Sequence, residues 1–226
     1  LKQSLPQMSQ LKLKLECMQV TGSFKARGAV NKLFSSPSEQ IKRGIVTASG
    51  GNHGLAVAYA GWLADIPATI FLGRNTPAVK AEKLQQWGAR IVTEGAVWDD
   101  ANRAALAMAA AEQLSYFHPF ADPQVIAGQG TISLEILAET PEVDTLLVAI
   151  GGGGLISGVS AAAKALKPTI RVIGVEPIGA ATLHDSLQAD QIVELSEIKT
   201  AANTLAPRRT EGINFDIIRK YVDDIV

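Results

Sequence analysis

Three glycine-rich stretches in this 226-residue chain carry residue types and spacings able to do chemistry. The first reads Thr21-Gly22-Ser23-Phe24-Lys25-Ala26-Arg27-Gly28-Ala29 and puts a lysine where a helix should start. With Ser23 as the cap, Lys25 falls in the first turn, where the helix dipole disfavours a cation. Such a placement is expected to lower the amine pKa, which a nucleophilic amine that condenses with a carbonyl requires. Taken alone, the stretch is better explained by an ordinary solvated lysine at a frayed helix start. The second stretch, Thr47-Ala48-Ser49-Gly50-Gly51-Asn52-His53-Gly54, follows an apolar run. Small residues leading into a helix gather several backbone N–H groups around one concavity, suited to a carboxylate or phosphate, and Asn52 and His53 add side-chain donors. A tight turn with Asn52 as helix cap explains the same residues equally well. The third stretch, Gly151-Gly152-Gly153-Gly154-Leu155, lies between an apolar strand and a small-residue helix. Four successive glycines lose much backbone entropy on folding, so a close backbone approach is needed there, and a phosphate at the helix N-terminus is a better candidate than a glycine-lined packing contact. No Gly-Lys-Ser/Thr follows, so the loop is no Walker loop. Ile156 occupies the third glycine position of a dinucleotide fingerprint, so it is not that motif either.

Other chemistry is poorly supported. The histidines His53, His118 and His184 are far apart, and the single cysteine, Cys17, excludes an intrachain disulfide and a Cys-based zinc site. His118-Pro119-Phe120 reads as a turn closing a strand, while Asp122, Asp185 and most glutamates read as solvated surface.

The elements that must position these loops follow from periodicity. Strands are expected at Leu11–Glu16, Gly44–Ala48, Ala68–Leu72, Arg90–Thr93, Thr145–Ile150, Arg171–Glu176 and Ile192–Leu195, with a last one from Asp224. Helices are expected at Phe24–Phe34, Asn52–Ala64, Thr76–Trp87, Asp99–Gln113, Ile126–Glu139, Leu155–Leu166 and Gly212–Lys220, with Ser23, Asp99 and Thr210 as caps. Apolar, non-alternating strands between helices imply an α/β chain with parallel sheets covered on both faces. Hydrophobic residues at 47% and charged residues at 19% exclude intrinsic disorder. A net charge of −1 gives no basic excess for a polyanion, so a nucleic-acid partner is not expected. The uncharged run Thr145–Ala163 is broken by its glycines and is no membrane span, so a soluble, cytoplasmic protein is expected.

In order and spacing, the motifs resemble the fold-type-II family of pyridoxal-phosphate enzymes, in particular its serine/threonine dehydratase branch. They are Leu-Lys-Leu-Glu at 13–16, Thr-Gly-Ser-Phe-Lys at 21–25, Ala-Ser-Gly-Gly-Asn-His-Gly at 48–54 and His-Pro-Phe at 118–120. Gly-Gln-Gly-Thr at 128–131, Gly-Gly-Gly-Gly-Leu at 151–155 and Gly-Val-Glu-Pro at 174–177 complete the set. The resemblance implies pyridoxal 5′-phosphate carried on Lys25 through an imine, with Phe24 against its ring and Asn52 on the ring hydroxyl. It places the phosphate in Gly151, Gly152, Gly153, Gly154 and Leu155, and the substrate carboxylate on Ser49, Gly50, Gly51, Asn52 and His53. The implied reaction is loss of the β-hydroxyl of threonine or serine through an aminoacrylate, giving a 2-oxo acid and ammonia.

Further expectations come with the resemblance. A small domain, 42–121, is inserted in a large one made of 1–41 and 122–226, and the assembly is a homo-oligomer. Family racemases carry a serine directly after the position of Ser49, where this chain has Gly50, so elimination is favoured over racemisation. A non-catalytic homologue is disfavoured by the intact Lys25, Asn52 and glycine loop. Cation-dependent members take ligands at the positions of Glu176, Ala180 and Thr182, and with a single carboxylate left no tight metal site is expected. Family chains start upstream of Leu1 and continue past Val226, so 1–226 is expected to be part of a longer polypeptide and nearly inactive alone.

Overall fold

The computed structural model describes residues 11–96 and 98–226. Four parallel strands, β1 (Ile45–Ala48), β2 (Ala68–Leu72), β3 (Arg90–Thr93) and β4 (Ser115–Tyr116), form one sheet in the order β3-β2-β1-β4. Ile45 of β1 pairs with Ala68 on one side and Ser115 on the other. Every residue of β1 and β2 is buried, as expected of central strands with helices on both faces. Their apolar runs do not alternate for that reason.

A second parallel sheet, β5 (Thr145–Ala149), β6 (Arg171–Val175) and β7 (Asp224–Ile225), is ordered β5-β6-β7. Here the expectation of two covered faces fails. Burial alternates along β5 and β6, with Leu146, Val148 and Val172 inside and Leu147 and Val175 exposed. Apolar residue type alone does not distinguish a strand covered once from one covered twice.

The helices are α1 (Lys25–Ser35), α2 (Ser38–Ile41), α3 (Asn52–Ala64), α4 (Ala78–Gln85) and α5 (Trp98–Glu112), followed by α6 (Pro123–Glu139), α7 (Gly154–Leu166), α8 (Thr182–Gln188) and α9 (Gly212–Tyr221). Leu33 of α1 lies in the core of the first sheet with Ile45, Val57, Ile70 and Phe117. The core of the second sheet gathers Ile132 of α6, Ile156 and Val159 of α7, and Ile218 of α9. Helices α1, α6 and α7 join the two halves through close crossings. A Cβ on Gly128 would come within 2.6 Å of Gly28 Cα, and one on Gly158 within 2.2 Å of the Ile126 carbonyl oxygen. These contacts explain why small residues recur in three helices.

Two expected strands are absent. Residues 11–15 form no ladder and lead into a 3-10 turn at Glu16–Met18, with Leu11, Leu13 and Leu15 exposed. The Ile192–Leu195 run has no neighbouring strand, and Leu195 N–H instead donates to the Arg208 carbonyl at 2.8 Å. The caps also differ. Phe24 rather than Ser23 precedes α1, Glu211 rather than Thr210 precedes α9, and Asp99 lies inside α5. Asp122 is not solvated surface: its Oδ1 accepts from the N–H groups of Gln124 and Val125, capping α6, and its Oδ2 accepts from Lys32 Nζ.

Candidate active site

Lys25 opens α1, where Ser23 Oγ accepts its N–H at 3.4 Å. Its side chain is partly exposed, and its Nζ donates to the Pro119 carbonyl at 2.5 Å. No carboxylate pairs with it among the described residues. Burial of the ammonium group lowers its pKa to about 8. Desolvation of the charged form is the cause. Phe24 packs on the core of the second sheet, with the Lys25 amine 5.3 Å from its ring centre.

The second loop runs from β1 into α3. Ser49 Oγ accepts the Gly51 N–H at 3.3 Å, tightening the turn. The N–H groups of Asn52, His53 and Gly54 take no acceptor among the described residues, as the first turn of a helix allows. Asn52 is exposed, and its amide has no partner among the described residues, which leaves it available to a ligand. His53 points the other way. It is 3% exposed, and its Nε2 lies 3.0 Å from the Phe117 carbonyl. Burial first, then the charge of Lys25, lowers its pKa to about 3, so it is neutral with the proton on Nε2. Its unpartnered Nδ1 is therefore an acceptor, and only its backbone N–H can serve an anion.

The third loop connects β5 to α7. From Gly151 to Ile156 no N–H group takes an acceptor among the described residues, so six successive donors are open. Gly153 has φ +94°, which turns the chain into the helix and is costly for any residue with a Cβ. A Cβ on Gly152 would meet the Phe120 ring at 2.5 Å. Open donors at a helix N-terminus fit a phosphate, and a desolvated, unpaired amine fits an aldehyde. The residues present therefore fit pyridoxal 5′-phosphate.

The turn at 117–120 touches all three loops. The Phe117 carbonyl accepts from His53 and from Thr47 Oγ1, the latter at 2.7 Å. The Pro119 carbonyl accepts from Lys25, and Phe120 lies against Gly152 and Gly154. His118 Nδ1 holds the turn by accepting from the N–H groups of Phe120 and Ala121, at 3.2 and 2.8 Å. Burial lowers the His118 pKa to about 4, which keeps that lone pair free at neutral pH.

Glu176 lies elsewhere and does a structural job. Its carboxylate accepts from the N–H groups of Leu183 and His184 at 3.0 and 2.8 Å, capping α8.

The family model described as pyridoxal-phosphate dependent enzyme matches residues 3–226. The chain belongs to that family. Pyridoxal 5′-phosphate is therefore its cofactor, and its parallel α/β sheets are those of the fold-type-II pyridoxal-phosphate enzymes. An L-threonine ammonia-lyase of Thermotoga maritima is 43% identical over 214 residues, covering 95% of this chain and 53% of that protein. A serine racemase of Oryza sativa subsp. indica is 41% identical over 222 residues, covering 96% of this chain and 64% of that protein. The solved structure of the processed form of threonine deaminase isoform 2 from Solanum lycopersicum superposes with a TM-score of 0.92 at 37% identity, covering 94% of this chain and 62% of that one. The chain thus spans between half and two thirds of the length of these relatives.

Proposed function

We propose that this pyridoxal-phosphate chain belongs to a dehydratase that removes the β-hydroxyl from L-threonine or L-serine, giving a 2-oxo acid and ammonia. The carrying observation is the Lys25 amine, which pairs with no carboxylate among the described residues and has a pKa of about 8, together with Gly50 in the Ser49–His53 loop. When bound, pyridoxal 5′-phosphate supplies an electron sink for the charge left at the substrate α-carbon. The protein's residues then do the positioning and the proton transfer. Lys25 Nζ is the covalent anchor, and once free it takes the α-proton and can return a proton to the departing hydroxyl. A pKa near 8 suits both directions at neutral pH. Backbone N–H groups of Gly151 to Leu155 hold the phosphate. The N–H groups of the Ser49–His53 loop hold the substrate carboxylate, with Ser49 Oγ bracing the turn. The Asn52 amide donates to the ring hydroxyl oxygen, and Phe24 limits ring tilt.

A racemase is the second reading, favoured by the 41% identity to a serine racemase. Racemisation needs a proton donor on the opposite face of the α-carbon, and Gly50 has no side chain to supply one. We also infer that 42–121 forms a small domain between the parts 1–41 and 122–226. The four-stranded sheet, contained between Ile45 and Tyr116, supports this division, although residues 1–10 lie outside the described residues. A cytoplasmic homo-oligomer belongs to the same reading and rests on the resemblance. Among the described residues no helix is long and apolar enough to cross a membrane.

The test is product analysis with L-serine and L-threonine. Pyruvate or 2-oxobutyrate should form faster than either D-amino acid, and borohydride reduction should leave a pyridoxyl mass on the peptide carrying Lys25. D-serine outpacing pyruvate would reverse the choice between the two readings.

A further inference from the structure

Asn214, in the first turn of α9, is fully buried, yet its amide is satisfied on every side. Nδ2 donates to the Gly152 carbonyl at 3.0 Å and to the Phe120 carbonyl at 3.2 Å. Oδ1 accepts from Ser157 Oγ at 3.2 Å, which fixes the orientation of the amide. Thr210, also fully buried, donates from Oγ1 to the same Gly152 carbonyl at 3.1 Å. Neither residue stands out as a ligand in the sequence. In the structure both end on one carbonyl of the glycine loop.

That carbonyl has an opposite side. The Gly152–Gly153 peptide is trans and planar, so the Gly153 N–H points away from the Gly152 oxygen. Two donors pulling the oxygen toward α9 therefore aim the N–H at the other side of the loop, away from Asn214 and Thr210. The second Nδ2 bond ties the same amide to Phe120, the residue after the Pro119 carbonyl that holds the Lys25 amine.

We propose that Asn214, assisted by Thr210, is a positioning residue that sets the span between the phosphate loop and the Lys25 amine, matching it to one rigid ligand held at both ends. This rests on the reading of Gly151–Leu155 as the phosphate site. Asn214→Asp keeps the shape, removes both donated bonds and sets a carboxylate against two carbonyl oxygens. Thr210→Val keeps the shape and removes one bond, while Thr210→Ser restores the hydroxyl.

Binding of pyridoxal 5′-phosphate and of pyridoxal, which lacks the phosphate, distinguishes the outcomes. Both are followed by fluorescence anisotropy and by the visible absorption of the bound cofactor in the full-length protein. The wild type should prefer the phosphorylated form. Asn214→Asp should lower that preference about tenfold or more, and Thr210→Val roughly three- to tenfold, with Thr210→Ser near wild type. In Thr210→Val, which leaves the Asn214 bond to Phe120 in place, pyridoxal affinity should move less than about twofold. An unchanged preference in Thr210→Val, which disturbs folding least, overturns the proposal. A wild type without preference for the phosphorylated form overturns the phosphate-loop reading itself, a separate outcome.

Discussion

Acid should weaken this chain through His53, and the size of the effect can be worked from its surroundings. The imidazole is 3% exposed and bonded to the Phe117 carbonyl, with its pKa lowered to about 3 by burial and by Lys25. In the unfolded chain it titrates near the ordinary value of about 6.5. Between those values the unfolded state binds more protons, so stability falls as the pH falls from about 6.5 toward 3. Each unit of separation is worth about 1.4 kcal/mol, so His53 alone should remove about 2 kcal/mol by pH 5 and about 3 kcal/mol by pH 4, relative to pH 7.5. Carboxylates and His118 also titrate in this range, so the informative quantity is a difference between two proteins. His53→Gln keeps a donor within reach of Phe117 and has no titrating group. Urea denaturation of both proteins from pH 7.5 to 4 should show the wild type losing stability faster, with the gap changing by about 2 kcal/mol by pH 5. Parallel curves across that range would refute the reasoning, because they require a His53 that protonates as easily folded as unfolded.

Two further changes probe the scaffold. Gly158→Ala places a methyl group where only 2.2 Å separates it from the Ile126 carbonyl oxygen, so α6 and α7 must part. It should cost about 2–3 kcal/mol in chemical denaturation, and a neutral result would show that the crossing is loose. Arg27 bonds Glu16 through Nε and Nη2 at 2.7 and 2.9 Å, and Glu135 through Nη1 and Nη2 at 2.6 and 2.7 Å. Arg27→Met strands the mostly buried Glu16 carboxylate and should cost about 2–3 kcal/mol, discounted because Glu135 is partly exposed, with a lower melting temperature as the readout.

The residues of the candidate site were more legible than their supports. Glycine runs at strand ends announce backbone anion sites because few other needs justify their entropy, and Lys25 and Asn52 stand beside such runs. Helix α3 matches its expected bounds, Asn52–Ala64, because Gly51 precedes it and Asp65, at φ 55°, ends it with a left-handed cap. The two-residue strand β4 is implied by the turn at His118–Phe120 but has no bounds legible in the sequence, because pairing with β1, rather than its own residue types, makes it a strand. The Ile192–Leu195 run has strand-like composition but no neighbour to pair with. Asn214 could have been found. It lies four residues before Ile218 on the buried face of α9, and a polar group in that place demands partners. Which partners depends on chain segments about 60 and 90 residues away, and no local pattern encodes that.

At the crossing of α1 and α6 the backbones of Gly28 and Gly128 meet directly, with the Gln129, Val125 and Asn31 side chains packed beside them. A shift of α6 therefore presses on the α1 backbone, and Lys25 sits three residues before Gly28 on that helix. Its acceptor, the Pro119 carbonyl, belongs to the short turn that Asp122 joins to the start of α6 and, through Lys32, back to α1. Amine and acceptor therefore share one frame of reference. Substitutions that tilt or swell the sheets carry both along together, and the 2.5 Å contact between them should be among the last distances in the molecule to change.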